Sequence, residues 1–260
     1  MREITEVRED INKIDAEIAE LLAKRMDCVC EVIDYKKEHH LPILQTEQEQ
    51  RRQEVLRSVL DHCSYESEIL NIFDEILHMS KKVQAGALFK HNIALIGFMG
   101  AGKTTVSQYL KNMLAMDEIE TDAMIVQQQG MSINDIFARY GEPYFRNLES
   151  NAVITLQGVS NAIISCGGGL VMRDENVENL KKSSRIVLLT ATPETTLERV
   201  KDSNDRPILN GHMNVEFIAQ LQEKRRDKYA AAADIVIATD GKTVPEICEE
   251  LVSRLLAAEA

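Results

Sequence analysis

Apolar side chains recur at Ile4, Val7, Ile11, Ile14, Ile18 and Leu21, then at Val29 and Val32, in steps that alternate three and four. That is a heptad seam, and it predicts one helix running unbroken to about Glu38. Such a helix is roughly 50 Å long and needs a partner along its whole length. His40, Leu41 and Pro42 close it. A second helix is expected from about Thr46, with Val55, Leu56, Val59 and Leu60 on its inner face. A third spans Glu66 to Gln84, with the stripe Ile69, Phe73, Ile76, Ser80 and Val83. The pattern then changes. Short apolar runs at Ile93–Ile96, Ala162–Ser165, Arg185–Leu189 and Asp234–Ile237 read as strands, and helical patterns separate them. Alternation of this kind implies a parallel sheet with helices on both faces, and ligands at the C-terminal ends of the strands.

Glycine usage draws the same division. All 12 glycines lie at Gly86 or later, and the stretch before them holds one proline, Pro42. Few turn residues mean few turns. We therefore read residues 1–88 as an all-α helical bundle and residues 89–260 as a separate α/β domain, with a short joint between Gly86 and Asn92.

Charge narrows the partners. The net charge is −12, and residues 1–86 contribute 12 Lys and Arg against 19 Asp and Glu. Neither half suits nucleic acid, so an anionic ligand has to be met by a few local cations. The N-terminus has no charged-then-apolar leader, and no apolar run is long enough to span a membrane. The five cysteines are odd in number and contain no C-x-x-C pair. Reduced thiols in a cytoplasmic protein are expected.

One motif carries chemistry by itself. Gly97-Phe98-Met99-Gly100-Ala101-Gly102-Lys103-Thr104 fits G-x-x-x-x-G-K-[ST], and it sits between the Ile93–Ile96 strand and a helix read over Thr105 to Met116. In that context backbone N–H groups and the helix dipole face a triphosphate, Lys103 adds a point charge, and the Thr104 hydroxyl can hold Mg²⁺. ATP and Mg²⁺ follow as the expected ligands, with Gly97, Gly100, Ala101, Gly102 and Thr105 in the cradle.

Polar residues on apolar faces mark a second site. The seam of the first helix runs through Arg25 and Lys36, which are 11 residues apart and so share one face. An inward cation needs an anionic partner or ligand. Ser80 and Gln84 interrupt the apolar stripe of the third helix. Together these four residues read as a polar pocket inside the bundle. Arg8 lies about 25 Å from Arg25 along the axis, and could join it only across an antiparallel pairing of helices.

The helical half resembles the all-helical chorismate mutases over most of residues 4–85. The matching stretches are Val7-Arg8-Glu9, Leu21 to Arg25, Tyr35-Lys36-Lys37 with Pro42-Ile43, Glu49, and Ser80 to Gln84. The resemblance implies an intertwined helical homodimer that rearranges chorismate to prephenate. By the same match Arg8 reaches across from the partner subunit and Arg25 holds a carboxylate. Lys36 and Gln84 face the ether oxygen, while Glu49 meets the ring hydroxyl region, with Ser80 nearby. Such a rearrangement needs no nucleophile, only a held conformer and stabilised charge. Gln45 and Gln48 stand where that family usually has Asp and Arg.

In the second half, further polar clusters follow in a fixed order: Glu120-Thr121-Asp122, Phe145-Arg146-x-x-Glu149, Gly167-Gly168-Gly169, Arg206-Pro207-x-Leu209 and Arg225-x-x-x-Tyr229. Arg146 and Glu149 can pair at i,i+3 on a helix. The stretch Lys201 to Asn214 reads as a lid. Taken in sequence, the clusters resemble the shikimate kinases over nearly all of residues 92–258. The resemblance implies that Asp122 binds the shikimate hydroxyls and serves as general base. It puts Arg146 and Arg225 on the shikimate carboxylate, with backbone contacts from Gly168 and Gly169 and with Glu149 orienting Arg146. It assigns Lys103 and Arg206 to the transferring phosphoryl, Arg199 to the adenine, and Thr104 and Glu120 to Mg²⁺. Glu120 replaces the family's usual Asp, which implies a shifted metal shell. Two alternatives stay open: a different small-molecule P-loop kinase, and a bundle that only dimerises the chain or senses an effector.

Overall fold

The computed structural model describes residues 2–39, 46–201 and 214–259. It divides into two compact units, Met1–Leu88 and Phe89–Ala260. The first contains α1 (Ile4–His39), α2 (Thr46–Val59) and α3 (Glu66–Leu88). The third helix runs through Gly86 to Leu88, beyond the Gln84 end read from the sequence. One glycine costs a helix only about 1 kcal/mol, which the rest of a long helix absorbs. α1 packs against α3, and Ile33 is buried.

Two readings of the apolar faces change. Val55 and Val59, expected inside, are exposed on α2, and Val83 is exposed on α3. The α1 seam is also open: Ile4, Ile11, Ile14, Ile18 and Leu21 all stand exposed. Three helices from one chain do not cover these side chains.

The second unit is built on five parallel strands: β1 (Asn92–Ile96), β2 (Asp117–Glu120), β3 (Ala162–Ser165), β4 (Ser184–Thr190) and β5 (Ile235–Ala238), in the order β2-β3-β1-β4-β5. Every residue of β1 and β3 is buried, as expected for central strands with both faces covered. Asn92 locks their start: Nδ2 donates to the Val159 carbonyl at 2.8 Å, and Oδ1 accepts from the Ala162 amide at 3.0 Å. The connecting helices are α4 (Lys103–Leu114), α5 (Thr121–Gln129), α6 (Ile133–Leu156), α7 (Asp174–Lys181), α8 (Pro193–Val200), α9 (Val215–Ala232) and α10 (Val244–Glu259). The core gathers Ile96, Ile164 and Leu170 with Val153, Leu188 and Tyr229. The edge strand β2 leaves no apolar run in the sequence, because Asp-Glu-Ile-Glu offers one apolar residue.

α6 is two helical pieces. Gly141, at φ 78° and ψ 172°, breaks the spiral, and Pro143 follows inside the second piece. That φ lies in the region glycine enters without steric cost. The second piece then starts afresh and carries Phe145, Arg146 and Glu149 toward the C-terminal edge of the sheet.

Candidate functional sites

In the helical unit, Arg25 and Ser80 meet. Arg25 Nη1 donates to Ser80 Oγ at 2.5 Å, and that hydroxyl donates in turn to the Ile76 carbonyl at 2.7 Å. Ser80 is buried, while Arg25, Lys36 and Gln84 are half-buried. Arg8 is exposed near the start of α1. Gln48 is exposed on α2. Glu49 falls on the same helix with its side chain outside the described residues, and Gln45 lies outside them altogether.

In the α/β unit the phosphate-loop motif joins β1 to α4. Gly100 and Gly102 take φ of 76° and 95°, so the loop needs glycine there. Lys103 Nζ donates to the Gly97 and Phe98 carbonyls, at 2.8 and 3.1 Å. The ammonium thus lies across the loop it belongs to. Thr104 Oγ1 donates to Glu120 Oε1 at 2.6 Å, which sets a hydroxyl against a carboxylate at the end of β2. Two hard oxygen donors side by side next to a phosphate cradle fit Mg²⁺. Below them, the buried Ser107 hydroxyl bonds the Thr104 carbonyl at 2.9 Å and Glu118 Oε1 at 2.5 Å, tying α4 to β2.

A cleft of about 1,090 Å³ continues from this loop. Asp122, in the first turn of α5, and Glu149, on α6, face Gly167 so closely that a Cβ at 167 would collide with Asp122 Oδ1. A Cβ at Gly169 would collide with Arg146 Nη1. Arg146 is held from two sides. Its Nη1 donates to Glu149 Oε2 at 2.7 Å, and its Nε and Nη2 donate to Glu142 Oε1 at 3.1 and 2.6 Å. Glu149 is 1 % exposed, and burial pushes its carboxyl above the usual range although Arg146 pulls the other way. Arg225, on α9, lies over the Phe98 ring and donates from Nη1 to the Gly168 carbonyl at 3.3 Å. Arg199, on α8, is pinned at the opposite end, with Nη1 bonded to the Gly100 carbonyl at 3.1 Å and Thr239 Oγ1 at 3.0 Å.

The α/β site residues expected from the sequence are thus gathered around one cleft, apart from Gly97, whose carbonyl accepts Lys103 Nζ without lining the cleft, and Arg206, which lies outside the described residues. Cys166 forms part of the floor, and burial pushes its thiol up to about 12.

Residues 99–256 match the shikimate kinase family model. The chain belongs to the shikimate kinase family. It also carries a chorismate mutase type II match over residues 7–85. A shikimate kinase of Dehalococcoides mccartyi is 42 % identical over 166 residues, which cover 64 % of this chain and 94 % of the relative. One from Geobacter sulfurreducens is 41 % identical over 160 residues, 62 % of this chain and 88 % of the relative. Among solved structures, a shikimate kinase from Acinetobacter baumannii in complex with shikimate superposes with a TM-score of 0.64 at 28 % identity. It covers 67 % of this chain and 98 % of its own. The shikimate kinase from Aquifex aeolicus gives a TM-score of 0.55 at 32 % identity, covering 65 % of this chain and 98 % of its own.

The kinase cleft also includes residues outside the sequence motifs. Thr239, Lys242, Val244 and Ile247 also line it, after β5, and Thr239 is bonded to Arg199. Their signal was positional: a turn at the C-terminal end of a parallel strand is where such sheets bind ligands. Thr121 accepts the Gly167 amide at 2.8 Å, and Phe137 adds an apolar wall beside Phe145. No spacing rule singles these out.

Proposed function

We propose that this chain performs two reactions of aromatic amino-acid biosynthesis. Residues 89–260 transfer the γ-phosphoryl of ATP to a hydroxyl of shikimate, giving shikimate 3-phosphate and ADP. Residues 1–88 rearrange chorismate to prephenate. The carrying observation is the convergence of Arg146, Arg225 and the Gly168–Gly169 backbone on the same cleft as the phosphate loop. Two guanidinium groups at that end of a kinase cleft favour an acid as acceptor, since a carboxylate can take charge-assisted, orienting bonds from them that an uncharged sugar could not exploit.

The roles proposed for the residues are those the family resemblance implies, and the gathering of most of the α/β residues around one cleft supports them. Gly97, Gly100, Ala101, Gly102, Lys103, Thr104 and Thr105 cradle the triphosphate, and Arg199 covers the adenine. Thr104 and Glu120 hold Mg²⁺, which neutralises phosphate charge when bound. Asp122 takes the proton of the attacking hydroxyl, while Lys103 and Arg206 steady the phosphoryl as its bond to ADP breaks. Arg146 and Arg225 hold the carboxylate, with Gly168 and Gly169 lending backbone contacts, and Glu149 fixes Arg146. In the bundle, Arg25, Lys36, Glu49, Ser80 and Gln84 surround chorismate, and Arg8 of a second copy closes the site. The exposed α1 seam supports a homodimer through these helices. Among the described residues no helix is long and apolar enough to cross a membrane. We place the enzyme in the cytoplasm.

Shikimate-dependent ATP consumption and chorismate disappearance, measured on the whole protein, test both halves. Phosphorylation of gluconate or a nucleotide in place of shikimate would overturn the first. A second reading of the bundle, as an effector-sensing module without catalysis, is favoured by Gln48, which gives its helix no cation at that position. Binding of chorismate without turnover would select it.

A further inference from the structure

Tyr229 has no part in the assignments above, yet it is one of the most thoroughly buried polar side chains beside the kinase cleft, 5 % exposed. Its hydroxyl donates to the Gly168 carbonyl at 2.6 Å. The same carbonyl accepts the longer Arg225 bond, at 3.3 Å. Tyr229 and Arg225 are four residues apart on α9, so they stand one above the other on the same face. A carbonyl has two lone pairs, and here one helix supplies both donors.

The run Gly167-Gly168-Gly169 has no side chains with which to fix its own backbone, and glycine has the widest choice of conformations. Something else must hold it. The peptide unit between Gly168 and Gly169 is planar and trans, so the direction of the Gly168 carbonyl also sets the direction of the Gly169 N–H, on the opposite side. A Cβ at Gly168 would sit 3.8 Å from Tyr229 Oη and 3.7 Å from the Gly97 carbonyl, which leaves this backbone seated between the tyrosine and the phosphate loop. On the other side, Gly169 backs directly onto Arg146.

Resting on the kinase reading, we propose that Tyr229 is a positioning residue for the acceptor's carboxylate: its hydroxyl locks the Gly168–Gly169 peptide plane, and so aims the Gly169 N–H and the Arg225 guanidinium at one anion. Tyr229 touches no substrate in this role. Burial pushes its phenol up to about 12, so the donor stays protonated throughout the working range of the enzyme.

The test is Tyr229→Phe in the full-length chain, which keeps the ring and removes only the donor. The shikimate KM is expected to rise about tenfold, with the ATP KM and kcat within about twofold of the parent, because only acceptor binding uses this plane. With the primary-alcohol analogue of shikimate, parent and variant should have equal KM values. In a cycle with Arg225→Ala, the two KM losses should be less than additive, since both act on one carboxylate. Calorimetric titration of shikimate well below the melting temperature gives the same comparison if turnover is low. An unchanged shikimate KM, an equal penalty for acid and alcohol, or strictly additive losses would overturn the proposal. A parent enzyme that leaves shikimate untouched would overturn the kinase reading beneath it, and that result is distinguishable from all three.

Discussion

Glu149 concentrates the electrostatics of this part of the cleft in one side chain. It is sealed from water, bonded through Oε2 to Arg146, and Oε1 faces the Gly167 backbone beside Asp122. Burial raises its carboxyl above the ordinary 4.5, and the nearby Asp122 charge acts in the same direction. A carboxyl raised in the folded state contributes most to stability below its unfolded value, and that contribution is lost as pH rises through its folded value. Melting of the parent and of Glu149→Gln should therefore diverge with pH. From about pH 4.5 upward the parent should lose melting temperature relative to the variant, and a parallel pair of curves would contradict this. The variant should also bind shikimate more weakly, since Arg146 loses the carboxylate that orients it.

At the scale of elements, α1 is the anomaly. A helix of 36 residues carries a periodic apolar stripe, and much of that stripe is exposed. Burying it on a second copy would remove several large side chains from water, each worth about 1.5–3 kcal/mol. Ile11→Asp with Ile18→Asp should shift the full-length protein from dimer to monomer in sedimentation velocity. Chorismate turnover should fall with it, because Arg8 then reaches no site. A dimer that survives both substitutions would refute the seam as the interface. This seam was legible in the sequence because a long helix repeats its signal many times over. The central strands were legible for a different reason: a strand covered on both faces is a plain apolar run. β2 left no such trace, for an edge strand needs few apolar residues. The outward Val55 and Val59 misled because a short helix with a weak stripe does not fix its own rotation. Within the site, the phosphate loop and the Arg146–Glu149 pair were legible from local spacing. Glu142 on Arg146 and Tyr229 on Gly168 were not, since each depends on how a side chain is aimed rather than on where it falls in the chain.

The whole molecule joins two chemistries, and the roles proposed above give them no catalytic residue in common. Lys103→Ala should cost about 10²–10³-fold in shikimate phosphorylation and leave chorismate turnover unchanged, by loss of charge stabilisation in the transition state. Arg25→Ala should do the reverse, with a loss of about 10²-fold or more. Assays of both substrates on each variant check the separation, and a variant that lowers both rates equally would argue for coupling.

The cysteines give this division a practical use. Cys28 and Cys30 stand exposed on α1, whereas Cys166 and Cys248 are buried within the α/β unit and their thiols are raised to about 12. Maleimide reagents attack thiolate, so mild treatment of the native protein should mark α1 and spare the floor of the kinase cleft. Peptide mass mapping would reveal the pattern. A fluorophore attached in this way would report on the helical unit of a phosphorylating enzyme without a single engineered cysteine.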